Sequence, residues 1–187
     1  TLIARKLKRL DDVIAVSVVE PKLSDQGWRF GDCPGAGADM INGATYMHQI
    51  YTRADPHFTG RATVPVLWDK ATGTIVNNES AEIIRMFNSA FNAFAANPEL
   101  DLYPEALRVE IDRCNEGIYT AVNVGAYAAA FAQTQAAHDK AVYTFFDALD
   151  ELEAHLSAHR YLVGERPTEA DWRLFPTLIR FELVYQA

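Results

Sequence analysis

Two short motifs in the first half of this chain, Val64-Pro65 and Glu79-Ser80, have the residue types to hold a small polar molecule. Proline has no backbone N–H to give to a sheet ladder, so Val64-Pro65 belongs at the start or edge of the strand spelled VPVLWD over residues 64–69. A cis bond there and a trans proline that merely opens the strand both satisfy these two residues. Glu79-Ser80 stands ahead of an apolar-periodic run, where a helix must begin. Amides at that start, with the Ser80 hydroxyl, can hold a carboxylate, and Glu79 can face an ammonium, so the pair suits the zwitterionic end of an amino acid. Taken alone, the same two residues are more often an ordinary helix cap.

Other reactive types are placed less favourably. Cys33 precedes Pro34 inside a glycine-rich stretch rather than between a strand and a helix start, and Cys114 falls on an apolar helix stripe where packing is its expected role. Glu151, His155 and His159 recur every four residues on one helix face, a spacing that can bind a transition metal. No further ligand cluster supports them, and histidines near a helix C-terminus also suit the dipole, so no metal is expected.

Placing the two motifs requires a strand, a turn and a helix start, and the surrounding sequence provides them. Leu2, Ile3, Leu7 and Leu10 predict an amphipathic helix at the start, and VIAVSVV over residues 13–19 predicts a strand buried on both faces. Residues 20–60 are crowded with Gly and Pro, a long excursion with room for one helix near residues 45–53. VPVLWD, the turn KATG and the strand TIV then make a β-hairpin. The next helix has Ile83, Ile84, Phe87, Phe91 and Phe94 on one face.

From residue 97 the pattern is helical throughout, and residues 97–104 predict a linker between a first domain, 1–96, and an all-α second domain, 105–187. Leu107, Ile111, Cys114, Ile118 and Val122 form one apolar stripe of a bundle, and Val142, Phe145, Leu149, Leu152 and Leu156 form another. Thr168 and Asp171 predict a capping box, opening a helix that contains Pro176 and must kink or be buttressed there.

Hairpin, NNES and helix occur in the order of the glutathione-binding half of a glutathione transferase, and their wording resembles the glutathionyl-hydroquinone reductases, the Xi-class transferases. The resemblance runs on through Gly27-Trp28, ADPHFTGR at 54–61, NVGAYAAAFA at 123–132, HRYLVGERPTEADWRLFPTLIRF at 159–181 and Val184-Tyr185. It implies an α/β plus all-α fold, in which part of a thioredoxin-like domain precedes a helical-bundle domain. Trp28, Arg61, the Val64 backbone, Glu79 and Ser80 would contact glutathione, a co-substrate. Tyr127 would carry a proton to and from the quinol ring, and Tyr185 would steady a thiolate. Family members place the nucleophilic cysteine in a CPWAHR-like segment whose helix continues much as TLIARKLKRL does, so the resemblance implies that this chain starts just beyond that cysteine and stops before the family's final helices.

Composition narrows the partners. With 187 residues, 49% of them hydrophobic, the chain can bury a substantial core. Its 17 Lys and Arg against 25 Asp and Glu give a net charge of −8 without long like-charged blocks, which argues against nucleic acid and anionic membrane surfaces. No apolar stretch approaches the ~20 residues that span a bilayer. Expected are a cytoplasmic homodimer and small-molecule partners, glutathione and quinone-type compounds. Two alternatives stay open: a non-catalytic binding module of the same fold, and an ordinary glutathione-conjugating transferase.

Overall fold

The computed structural model describes residues 1–181, and the chain divides into two compact units, Thr1–Pro98 and Glu99–Ala187. The first opens with helix α1, Leu2–Leu7. The buried Lys8 just after it gives its ammonium to the Pro98 carbonyl at 3.1 Å, and the Asn97 amide binds the Leu7 carbonyl at 2.9 Å. Such pairing is what allows a lysine to be buried.

Residues 13–19 correct the sequence expectation. They form no strand: Val13 and Ile14 belong to a turn bonded back to Leu10, and Val13, Val16 and Val18 are exposed. A strand needs a neighbour whose N–H and C=O groups run alongside. Among the described residues the segment past Ile14 has isolated backbone bonds rather than a ladder: the Val18 carbonyl accepts from Gly37, and the next-door Glu20 N–H donates to Arg29.

The glycine-rich excursion is organised by a side chain. Asp39, buried, accepts from the backbone N–H groups of Ile41, Asn42 and Ala44 at 3.0–3.2 Å, replacing the hydrogen bonds that regular structure would supply. Helix α2, Met47–Ala54, follows near its expected place and buries Met47, Ile50 and Tyr51 with Phe30 in one cluster. Strands β1, Leu67–Asp69, and β2, Thr74–Asn77, pair antiparallel as the predicted hairpin, with a register shift between Leu67 and Trp68; β1 begins three residues later than expected, so Val64-Pro65 precedes the strand rather than opening it. At its turn the Asp69 carboxylate accepts from the Ala71 N–H and the Thr72 hydroxyl, while Gly73 takes the positive φ of 66° that reverses the chain. Those bonds, the Thr72 hydroxyl foremost, hold the Asp69 carboxyl below its usual range. Helix α3, Ser80–Ser89, buries Ile83, Ile84 and Phe87 as its spacing requires. It ends before the stripe does, so Phe94 is exposed, contrary to the pattern.

The second unit packs around Ile111, Ile118, Val122, Ala126, Phe145, Leu162, Val163, Ala170 and Leu174. Each large side chain buried here contributes about 1.5–3 kcal/mol before entropy is set against it. Helix α4, Arg108–Ile118, runs through a wide π-type turn at Tyr119–Asn123 into α5, Gly125–Ala130. The long α6, Gln135–Ala158, starts at Thr134, whose hydroxyl accepts the Ala137 N–H. Its stripe buries Phe145 and partly buries Val142, Leu149 and Leu152, but Leu156, expected inside, is exposed. Helix α7, Glu169–Leu178, begins at the expected capping box: Asp171 accepts the Thr168 N–H at 2.8 Å, and also the Leu162 N–H at 3.0 Å. Pro176 is accommodated within α7. Among the described residues no helix is long and apolar enough to cross a membrane.

Candidate functional site

The Val64-Pro65 bond is cis. Among the described residues neither the N–H nor the carbonyl of Val64 has a hydrogen-bond partner, so both can serve a ligand. The residue before it is tightly held. Thr63 donates its N–H to the Tyr51 hydroxyl at 3.3 Å, and that hydroxyl donates to the Thr63 carbonyl at 3.1 Å. Tyr51 itself is buried and packed against Phe58 with ring centroids 4.8 Å apart.

At the start of α3, Glu79 occupies the capping position with extended backbone (φ −92°, ψ 117°), yet neither its carboxylate nor the Ser80 hydroxyl caps the helix. Asn77 does the local work instead: its carboxamide oxygen accepts the Glu79 N–H at 2.7 Å, and its NH2 group donates to Glu82. Both functional groups of the pair are exposed beside a helix N-terminus, where the macrodipole favours an anion.

One side-chain bond joins the two motifs. The Asn78 carboxamide donates to the Thr63 hydroxyl at 3.5 Å. Since Asn78 adjoins Glu79 and Thr63 adjoins Val64, that bond ties the cis-proline segment to the helix start. The residues that build this frame, Tyr51, Thr63, Asn77 and Asn78, escaped the sequence reading. The pair Asn77-Asn78 was the available signal, because asparagine before a helix bonds local backbone so readily.

Trp28 packs on the same core. Gly27, at φ 86°, closes a turn with Ser24, and Trp28 then packs against the cluster that also receives Val66 and Trp68 of the hairpin. Its carbonyl is pinned by the Met47 N–H at 2.9 Å. Arg61 is exposed, next to Ala62 of that cluster, and makes no ion pair among the described residues. In the second unit Tyr127, on α5, is 47% exposed and lies parallel to Phe131 at 6.4 Å. Tyr185 lies outside the described residues.

Neither cysteine sits at a helix start. Cys33 belongs to the excursion, and Cys114 lines an open groove of about 720 Å³ beside α4 and α6. Burial, and secondarily the Asp171 carboxylate, push the Cys114 thiol up, which keeps it protonated at neutral pH. We therefore expect iodoacetamide to label Cys114 more slowly in the native protein than in denaturant at the same pH, read by peptide mass spectrometry. Equal rates would contradict the burial argument. His155 and His159 stack at 4.4 Å, with ring nitrogens turned to the Tyr161 and His155 carbonyls. Among the described residues no group of three or more His, Cys, Asp or Glu is arranged to hold a metal ion.

Similarity to known proteins agrees with this geometry. The sequence profile of the glutathione S-transferase N-terminal domain matches residues 1–90, and that of the C-terminal domain matches 135–187. The Xi glutathione transferase ECM4 of Saccharomyces cerevisiae, solved in complex with glutathione, is 34% identical with a TM-score of 0.92, covering 98% of this chain and 69% of its own. The chain belongs to the Xi-class glutathione transferases. Its fold is that of the class, a thioredoxin-like N-terminal domain with a helical C-terminal one. Two further relatives are named glutathionyl-hydroquinone reductases: PcpF of Sphingobium chlorophenolicum, 51% identical over 98% of this chain, and YqjG of Escherichia coli K12, 54% identical over 99%. This Xi-class chain spans 58% and 56% of their respective lengths. A glutathione-bound structure of YqjG superposes with a TM-score of 0.96 and covers 100% of this chain and 60% of its own.

Proposed function

We propose that the full-length protein is a glutathione-dependent thiol oxidoreductase that reduces glutathionyl-hydroquinones to hydroquinones. The observation that supports this most is the Thr63–Asn78 bond, which assembles the unpaired Val64 amide and carbonyl with Glu79 and Ser80 on one frame. A tripeptide thiol matches these groups. Val64 would pair with its backbone, Ser80 and the α3 amides would take the γ-glutamyl carboxylate, and Glu79 would take the ammonium. Trp28 and Arg61 would complete the contacts.

In the reaction, a protein thiolate attacks the sulfur of the glutathionyl substituent. The carbon–sulfur bond breaks with its electron pair remaining on the ring carbon, which takes a proton from Tyr127, and glutathione is left in a mixed disulfide with the protein. A second glutathione, as thiolate, displaces the protein sulfur and leaves as oxidised glutathione. The ring is reduced and two glutathiones are oxidised. We assign the nucleophile to neither Cys33 nor Cys114, and Tyr185 is proposed to steady that thiolate. In this reading the protein works in the cytoplasm as a homodimer, with quinone-type substrates.

Glutathione binding tests the site directly. Glu79→Ala is expected to weaken glutathione roughly 10- to 100-fold by calorimetry, the loss of a charge-assisted pair. Its stability should stay within about 0.5 kcal/mol of the parent, because the exposed Glu79 carboxylate, though at the capping position, makes no cap hydrogen bond. If the variant instead binds normally and melts earlier, Glu79 is a structural cap and the site assignment fails.

A further inference from the structure

We propose that Asn123 is a positioning residue for Tyr127: its carboxamide, clamped to α7, holds the wide turn that sets the direction in which Tyr127 leaves α5. The inference rests on the proton role proposed for Tyr127, and its test separates the two.

The turn is the starting point. Between α4 and α5 the Val124 N–H reaches back five residues to the Tyr119 carbonyl at 2.9 Å, and regular spacing resumes when the Ala128 N–H binds Val124. A turn with one extra residue rotates every later side chain by about 100° relative to an unbroken α-helix. Tyr127, four residues beyond Asn123, therefore points where it does because of that turn.

Such turns have poorer hydrogen-bond geometry than an α-helix and persist where something holds them. Here both hydrogens of one carboxamide are used. Asn123 Nδ2 lies 2.7 Å from the Thr177 Oγ1 and 3.2 Å from the Arg173 carbonyl. Thr177 is buried, so its hydroxyl offers a fixed anchor. The Arg173 carbonyl lies in the turn of α7 that precedes Pro176, one residue after the Trp172 carbonyl that the proline leaves without its helical donor. One side chain thus ties the wide turn to the proline-bearing helix at two points and holds their register. Leucine at 123 would fill the space but leave both acceptors without that donor.

The test uses full-length protein labelled with 3-fluorotyrosine, with the Tyr127 resonance assigned by its loss in Tyr127→Phe. Asn123→Ala, Asn123→Asp, which keeps the shape but cannot donate to Arg173, and Thr177→Val should each shift or broaden that resonance while leaving the Tyr51 resonance in place. The same variants should lower kcat toward a glutathionyl-hydroquinone about 10- to 100-fold, as expected of a misplaced catalytic group, with KM for glutathione little changed. In the Tyr127→Phe background, Asn123→Ala should cost little more. An unmoved Tyr127 resonance in the folded variants, or a kcat loss repeated in full on top of Tyr127→Phe, overturns the proposal. Should Asn123→Ala fail to fold, Asn123→Asp and Thr177→Val decide it. A wild-type rate for Tyr127→Phe alone refutes the proton role, and the fluorine resonance then judges the positioning by itself.

Discussion

Tyr127→Phe is expected to lower kcat for reduction of a glutathionyl-hydroquinone by about 100-fold or more, the usual contribution of a positioned general acid. The change removes the hydroxyl and keeps the ring. The ring keeps its parallel contact with Phe131 four residues on, and 47% exposure means that no core volume is lost. Glutathione affinity should stay at the parental value, because the groups proposed to hold the tripeptide, Trp28, Arg61, Val64, Glu79 and Ser80, all belong to the first unit. A fall in kcat with unchanged glutathione binding, measured by stopped-flow and calorimetry on the full-length protein, is therefore the signature of lost proton transfer. If turnover survives intact, the ring carbon takes its proton from elsewhere.

Glu169→Ala is expected to destabilise the second unit by about 3–5 kcal/mol, the range for breaking a buried charged network by removing one partner. Glu169 is 1% exposed in the first turn of α7. Its Oε1 accepts the Asn115 amide at 2.7 Å, and the Arg173 guanidinium stands 3.8 Å away. Among the described residues the Asn115 carboxamide oxygen has no partner, so losing the carboxylate would strand the amide as well. The negative charge also faces the favourable end of the helix dipole. Glu169→Gln should cost less, since its amide oxygen can still receive the Asn115 hydrogen. Hydrogen exchange of α4 and α7 amides reads this locally, without assuming that both units melt together. Unchanged protection in Glu169→Ala would mean that the network contributes nothing.

Much of this architecture is written in short-range patterns. The stripes of α3 and α4 follow the 3.6-residue period, the hairpin turn follows Asp69 and Gly73, and the capping box of α7 follows Thr168 and Asp171. Each depends on residues within a turn or two of one another, so the local sequence suffices. The same logic failed at residues 13–19. Seven apolar or small residues satisfy a strand's composition, but pairing depends on another segment lying alongside, which no local pattern reports. Phe94 failed for a related reason: a stripe's period does not say where the hydrogen-bonded helix stops.

Within the candidate site, Val64-Pro65, Glu79 and Ser80 were recognisable by type and spacing; the sequence alone placed Glu79 and Ser80 at a helix start, while the strand expected to open at Val64 begins only at Leu67. It left undecided whether Glu79 and Ser80 cap their helix. Only the folded chain answers that, because Asn77 takes over the cap and frees them. The Thr63–Asn78 bond spans 15 residues, and those from Asn123 to Arg173 and Thr177 span 50 and 54. Local sequence determined which chemical groups are available and on which elements they ride. Tertiary structure decided which of them are already spent and in which direction the rest project, since a hydrogen bond is chosen among all donors and acceptors that the completed fold brings within reach.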